Sequence, residues 1–137
     1  MGKKCVLLVF FLILFVTPVI AFGFSISFEW GDIPLCTGGN PNTVPNPRFV
    51  LSNVPEGTKF IQFTMTDLDT NYPNYDHGGG TIEYTGNNII EPGAFKYQSP
   101  CPRSGSHRYQ WTATAKKKTG FFSGSLGKTQ ATKRYPE

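Results

Sequence analysis

The sequence has no internal repeat, no heptad pattern and no stretch of sustained 3.6-residue apolar periodicity. Those absences exclude coiled coils, repeat arrays and helical bundles, and leave β structure. Histidine is scarce, with two in 137 residues, and cysteine hardly commoner, with three. A metal centre built from Asp67, Asp69, His77 and His107 matches no zinc-ligand spacing, so no metal or cofactor is implied. The G-x-S-x-G elbow is missing too, since Ser123-Gly-Ser125-Leu-Gly127 has serine where the first glycine belongs. Without it His77-Gly-Gly-Gly80 is not read as a lipase-type oxyanion loop. Three successive glycines fit backbone conformations closed to other residues, or a close approach of chain to ligand.

No apolar run reaches the ~20 residues that comfortably span a bilayer. The longest, Val6 to Ile20, is broken by Thr17 and Pro18. Lys3 and Lys4 precede it, and small residues follow in Val19-Ile20-Ala21 and Ala21-Phe22-Gly23. That order is an export signal spanning residues 1–23, cleaved after Ala21 or Gly23. The expected product is a single domain, residues 24–137, with no membrane span, periplasmic or secreted. Cleavage removes Lys3 and Lys4 from a formal net charge of +4, leaving too little to suggest nucleic acid as a partner. Lys116, Lys117, Lys118, Lys128, Lys133 and Arg134 crowd the C-terminal end as a solvated basic surface, or one attracted to an anionic surface. Cleavage also removes Cys5 and leaves Cys36 and Cys101. In an oxidising compartment such a pair invites a disulfide; the alternative is two separated thiols.

What is present reads as strands punctuated by turns. Phe24 to Trp30, Lys59 to Thr66 and Tyr109 to Ala115 alternate apolar and polar residues, as half-buried strands require. Arg48–Ser52 and Thr81–Thr85 are shorter strands, and Val54-Pro-Glu-Gly57 and Gly86-Asn-Asn88 are turns. Gly31–Pro47, Asp67–Gly80 and Ser99–Ser106 are dense in Gly, Pro, Asn and Ser and are expected as loops. Gly120–Lys133 has room for one short helical turn. The sum is an all-β domain, a sandwich with long loops and little helix.

Reactive side chains gather where these loops meet strands. Asp67 and Asp69 end the central strand, His77 enters the next, and His107-Arg108-Tyr109 opens the last clear one. A scaffold can hold such junctions around one pocket. An Asp69–Arg108 ion pair is the structural reading of those two residues.

The order of these segments resembles the phosphatidylethanolamine-binding protein family, in its bacterial Raf-kinase-inhibitor-like branch. The likeness is carried by Cys36-Thr-Gly-Gly-Asn40, Asn53-Val-Pro-Glu-Gly-Thr58, Asp67-Leu-Asp69, His77, and Ser99-Pro-Cys-Pro-Arg-Ser-Gly-Ser-His-Arg-Tyr109. It implies a β-sandwich with a small preformed pocket for phosphate or a phospholipid head group, and no enzymatic activity. Carried over, Asp67, His77, His107 and Tyr109 line that pocket, and Pro100 and Gly105 shape its wall. Histidine and tyrosine can donate to phosphate oxygens. Asp67 orients and charges a histidine, or accepts from a head-group ammonium. The family's Asp-Pro-Asp-x-Pro appears here as Asp67-Leu-Asp-Thr-Asn-Tyr-Pro73, and its aromatic-rich histidine segment as Tyr75-Asp-His-Gly-Gly-Gly80. The second change implies a more open or differently shaped mouth. Some relatives are inhibitors, so the alternative function is modulation of a partner such as a peptidase or a host signalling protein.

Overall fold

The computed structural model describes residues 23–34, 36, 40–70, 75–120 and 122–137; the expected export signal lies, but for Gly23, outside them. Nine strands follow in chain order: β1 (Ser25–Glu29), β2 (Thr43–Pro45), β3 (Arg48–Ser52), β4 (Phe60–Asp67), β5 (Tyr75–Glu83), β6 (Ile89–Ile90), β7 (Lys96–Gln98), β8 (His107–Lys116) and β9 (Ser125–Tyr135). A four-stranded antiparallel sheet in the order β5-β4-β8-β9 faces a three-stranded sheet, β1-β3-β6, while β2 and β7 form a separate ribbon. The chain is all-β, and no helix occurs among the described residues.

Alternation in the sequence becomes burial in the sandwich. Along β4, Ile61, Phe63, Met65 and Asp67 point inward; along β8, Tyr109, Trp111, Ala113 and Ala115 do. The register pairs Phe63 with Ala113 and Met65 with Trp111, setting large against small and flexible against flat. From the facing sheet Phe49 stacks on Phe63 at 4.6 Å and meets the Trp111 ring edge-on at 5.1 Å. Each such ring removes apolar area from water worth about 1.5–3 kcal/mol. The Trp30 indole donates to the Arg134 carbonyl at 2.8 Å, tying β1 to the outer edge of β9.

Three segments differ from expectation. Among the described residues of 120–133 there is no helical turn: residues from Ser125 on form β9, whose small and polar side chains hide the alternation because an edge strand need bury little. The expected loop Gly31–Pro47 contains β2, and the expected loop Asp67–Gly80 already becomes strand β5 at Tyr75. In β5 the pairing slips by one residue: Thr64 opposes Gly79, but Thr66 opposes Asp76, so His77 and Gly78 together face Met65. This bulge turns the strand over, and His77 lands on the buried face. Gly78 takes the left-handed φ of 79° that the bulge needs.

Gly79 and Gly80 serve packing. A Cβ on Gly79 would fall onto the Phe63 carbonyl of the neighbouring strand, and one on Gly80 would lie 2.5 Å from the Phe95 ring. Phe95 uses that space to stack on Phe63 at 5.4 Å. The glycines expected to open the pocket mouth thus admit a core phenylalanine. On the far side of β7 a disulfide joins Cys36 to Cys101, whose Cα atoms are 5.7 Å apart, and the Ser99 amide donates to the Asn42 carbonyl at 2.8 Å.

Two stability measurements test this account. The Cys36→Ser/Cys101→Ser double variant should unfold in urea about 4 kcal/mol more easily, the chain-entropy value for a loop of 65 residues. A loss below about 1 kcal/mol would show that the bridge constrains little. Gly79→Ala should lower stability by at least about 2 kcal/mol, whereas Gly86→Ala, at a turn with open space around it, should lose less. Equal losses at the two positions would contradict the close approach to Phe63.

Candidate functional site

Where the inward row of β4 ends, the core ends too, and a cavity of about 420 Å³ opens. Its walls come from the end of β4 and the bend after it (Asp67, Asp69), the first residues of β5 (Tyr75, His77) and the segment entering β8 (Arg103, His107). Pro41, Thr70, Cys101 and Ser104 complete the lining.

Asp67 is the pivot. It is 7 % exposed, and each carboxylate oxygen has its own donor. Oδ2 accepts from His107 Nδ1 at 2.8 Å, and Oδ1 accepts from the Asp69 amide at 2.9 Å. A buried carboxylate so held takes the Nδ1 proton of His107 and fixes the orientation of the ring at the cavity wall.

His77 is built for the opposite state. Nδ1 donates to the Gln98 carbonyl at 3.0 Å, and Nε2 is buried without a hydrogen-bond partner. Burial holds this ring below the ordinary histidine pKa, against the pull of the Gln98 carbonyl and of Asp67. The neutral tautomer with its proton on Nδ1 follows. Tyr75 stands edge-on over the ring at 4.8 Å, and Tyr109 meets it edge-on from behind at 5.3 Å.

Asp69 and Arg108 form a fork beside the cavity. Arg108 Nη2 lies 2.5 Å from Oδ1 and its backbone amide 2.7 Å from Oδ2. Those hydrogen bonds pull the Asp69 carboxyl down to about 2. The pair joins the end of β4 to the start of β8.

Of the residues expected to line a pocket, Asp67, His77 and His107 do so. Tyr109 is fully buried behind both histidines, its hydroxyl without a partner, and burial with Asp67 nearby pushes the phenol up. Pro100 is fully buried and Gly105 sits in an exposed turn with φ 65°; neither faces the cavity. Sequence reasoning missed Tyr75, Arg103 and Ser104. Tyr75 shares a strand face with His77, but that spacing carries meaning only once the segment is known to be strand β5 and not a loop. Arg103 carried no periodic signal at all. Among the described residues no cluster of three His, Cys, Asp or Glu side chains is arranged to hold a metal, and no helix is long and apolar enough to cross a membrane.

No protein-family model matches the sequence, and no curated protein matches it either. Solved structures do resemble it. CT736 of Chlamydia trachomatis, described as a homologue of phosphatidylethanolamine-binding protein, superimposes with a TM-score of 0.62 at 15% identity, covering 84% of this chain and 98% of that one. YbcL of E. coli, described as a new member of the mammalian PEBP family, gives 0.60 at 16% identity, covering 83% and 98%. At these identities the likeness is one of architecture, and it extends over nearly the whole length of both neighbours. The chain has the fold of the phosphatidylethanolamine-binding proteins.

Proposed function

We propose that this protein is a non-enzymatic binding module of that family whose cavity takes a small anion, a phosphate or a phosphate-bearing head group. The observation that carries the reading is the Asp67–His107 contact at the cavity wall. It holds the His107 ring at the wall with Nδ1 committed to the carboxylate, beside a His77 that burial favours in its neutral form. Arg103 brings a guanidinium to the rim, and the cavity's size suits one small ligand. Export belongs to the same proposal. It rests on the order of residues 1–23 and on the Cys36–Cys101 bridge, since structural disulfides persist in oxidising compartments.

Titrating inorganic phosphate into the folded protein should shift the imidazole NMR signals of both His77 and His107, and His107→Ala should weaken that binding about tenfold or more. Unmoved signals at millimolar phosphate would count decisively against the pocket. The neutral His77 also predicts a pH dependence. Its folded pKa lies below the 6.5 of the unfolded chain, so its stabilising contribution is full above that value. The contribution falls away as pH drops through the folded pKa, because the unfolded state binds the proton first. Urea midpoints should therefore decline from about pH 6.5 downward, and more steeply than in His77→Gln. Parallel declines in both proteins would mean that His77 is not held neutral.

A further inference from the structure

The end of the sandwich away from the cavity carries charge mostly of one sign. β8 begins at the cavity with His107 and ends at Lys116, so at about 3.3 Å per residue the two lie roughly 30 Å apart. The basic residues that crowd the C-terminal end of the sequence divide between these ends. Lys133 and Arg134 stand beside the start of β8, where Lys133 pairs with Glu29. Lys116, Lys117, Lys118 and Lys128 gather at the other end, and Lys59 joins them by donating its amide to the Lys116 carbonyl at 2.9 Å. Lys117 lies along the turn before β4, its Cε 3.5 Å from where a Cβ on Gly57 would sit. The acidic side chains at this end are Glu56, on that turn, and Glu83, at the end of β5. Among the described residues none of the five lysines forms an ion pair.

An apolar side chain stands at the same end. The connection from β8 to β9 folds back where Ser123 reaches the Gly120 carbonyl, through its amide at 3.3 Å and its hydroxyl at 2.7 Å. Phe122 sits inside that turn and is 96 % exposed, whereas the other exposed large apolar residues, Leu68, Tyr75 and Ile89, are each less than half exposed. The chain also enters the domain here. The Gly23 carbonyl accepts from Asn53 Nδ2 at 3.4 Å, and Phe24 lies near Gly127 at the start of β9. The apolar run Val6–Ile20 ends three residues before Gly23, so a bilayer that receives that run is held within about 11 Å of this end.

We propose that this end of the sandwich docks on an anionic lipid surface, with Phe122 entering the boundary between head groups and acyl chains and Lys117 and Lys118 facing the lipid phosphates. The lysines supply a salt-dependent attraction, and the phenyl ring holds the domain once it arrives. An acidic polymer would satisfy the lysines equally well but would leave an exposed phenyl ring in water, so Phe122 favours lipid. The cavity, at the opposite end of β8, then stays on the aqueous side of the docked domain, and the inference stands whatever the cavity binds.

The test measures co-sedimentation of the exported protein with mixed phosphatidylglycerol–phosphatidylcholine vesicles, against vesicles of phosphatidylcholine alone. Binding should be about tenfold tighter to the anionic vesicles and should fall steeply between about 0.1 M and 0.5 M salt. Lys117→Gln/Lys118→Gln should weaken it about tenfold, and Phe122→Ser about fivefold or more. In Phe122→Trp the fluorescence should shift to the blue on anionic vesicles, because Trp30 and Trp111 are already buried and contribute little change. Every variant keeps the wild-type N-terminus, so these differences report on the hairpin and not on residues 1–23. All three positions are exposed, which predicts unchanged amide dispersion and an unchanged phosphate titration of the distant cavity. Absence of binding to anionic vesicles overturns the proposal, as does binding indifferent to these substitutions. Tight binding to heparin without binding to vesicles overturns it too, in favour of an acidic polymer.

Discussion

A carboxylate at the end of an apolar row is the constraint on which the rest of this structure depends. Asp67 continues the inward series Ile61, Phe63, Met65 on β4, so the pleat leaves it no choice but to face the core. Burying an isolated carboxylate costs several kcal/mol, and it is tolerated only with partners. The partners come from two directions: His107 from the start of β8, and the Asp69 amide from the turn that follows β4. Satisfying Asp67 therefore fixes where β8 begins and how the chain leaves β4. The Asp69–Arg108 fork then locks the same two segments a second time. Packing ends and a cavity begins because the row ends in a charge.

Much of this was legible in the sequence, and what was not has a physical cause. Strands β1, β4 and β8 announced themselves because each buries one face under large side chains, so that a period of two survives in the residue types. Strand β9 did not. Along it Leu126, Thr129, Ala131 and Lys133 are only half-buried, and no apolar side chain larger than Leu126 marks the inner positions before Tyr135. Strand β5 failed for another reason. Its bulge at His77 and Gly78 breaks the alternation in mid-strand, so a glycine run reads as a loop. The site residues Asp67, His77 and His107 were found because their order along the chain resembles a family. Arg103 was not, because an arginine in a Pro/Ser/Gly segment has no pattern that separates a cavity wall from any solvated turn.

The segment before β8 owes its position to cross-links rather than to a core. Residues 99–106 bury only Ser99 and Pro100 fully, and no regular strand runs between β7 and His107. The Cys36–Cys101 bridge and the paired Ser99–Asn42 contacts hold its near end; His107 on Asp67 holds the far end. A wall built this way keeps its geometry while presenting polar side chains, which a hydrophobically packed wall could not do. The bridge matters to this wall, because without it the near anchor reduces to a few hydrogen bonds worth about 1 kcal/mol each.

The floor of the cavity carries the last piece of the argument. Leaving a buried polar atom unpaired costs about 1–3 kcal/mol, so stable domains contain few. Among the described residues the buried side-chain atoms without a partner are His77 Nε2, Tyr109 Oη and Trp111 Nε1. Nothing in the structure explains the one on Trp111. The other two belong to rings packed on each other at 5.3 Å against the cavity, where a sequence optimised only for stability would place Phe and Leu. Local rules tend to be broken at sites that serve something other than folding. Here the breach lies beside the Asp67–His107 contact, and both follow from ending the inward row of β4 in aspartate.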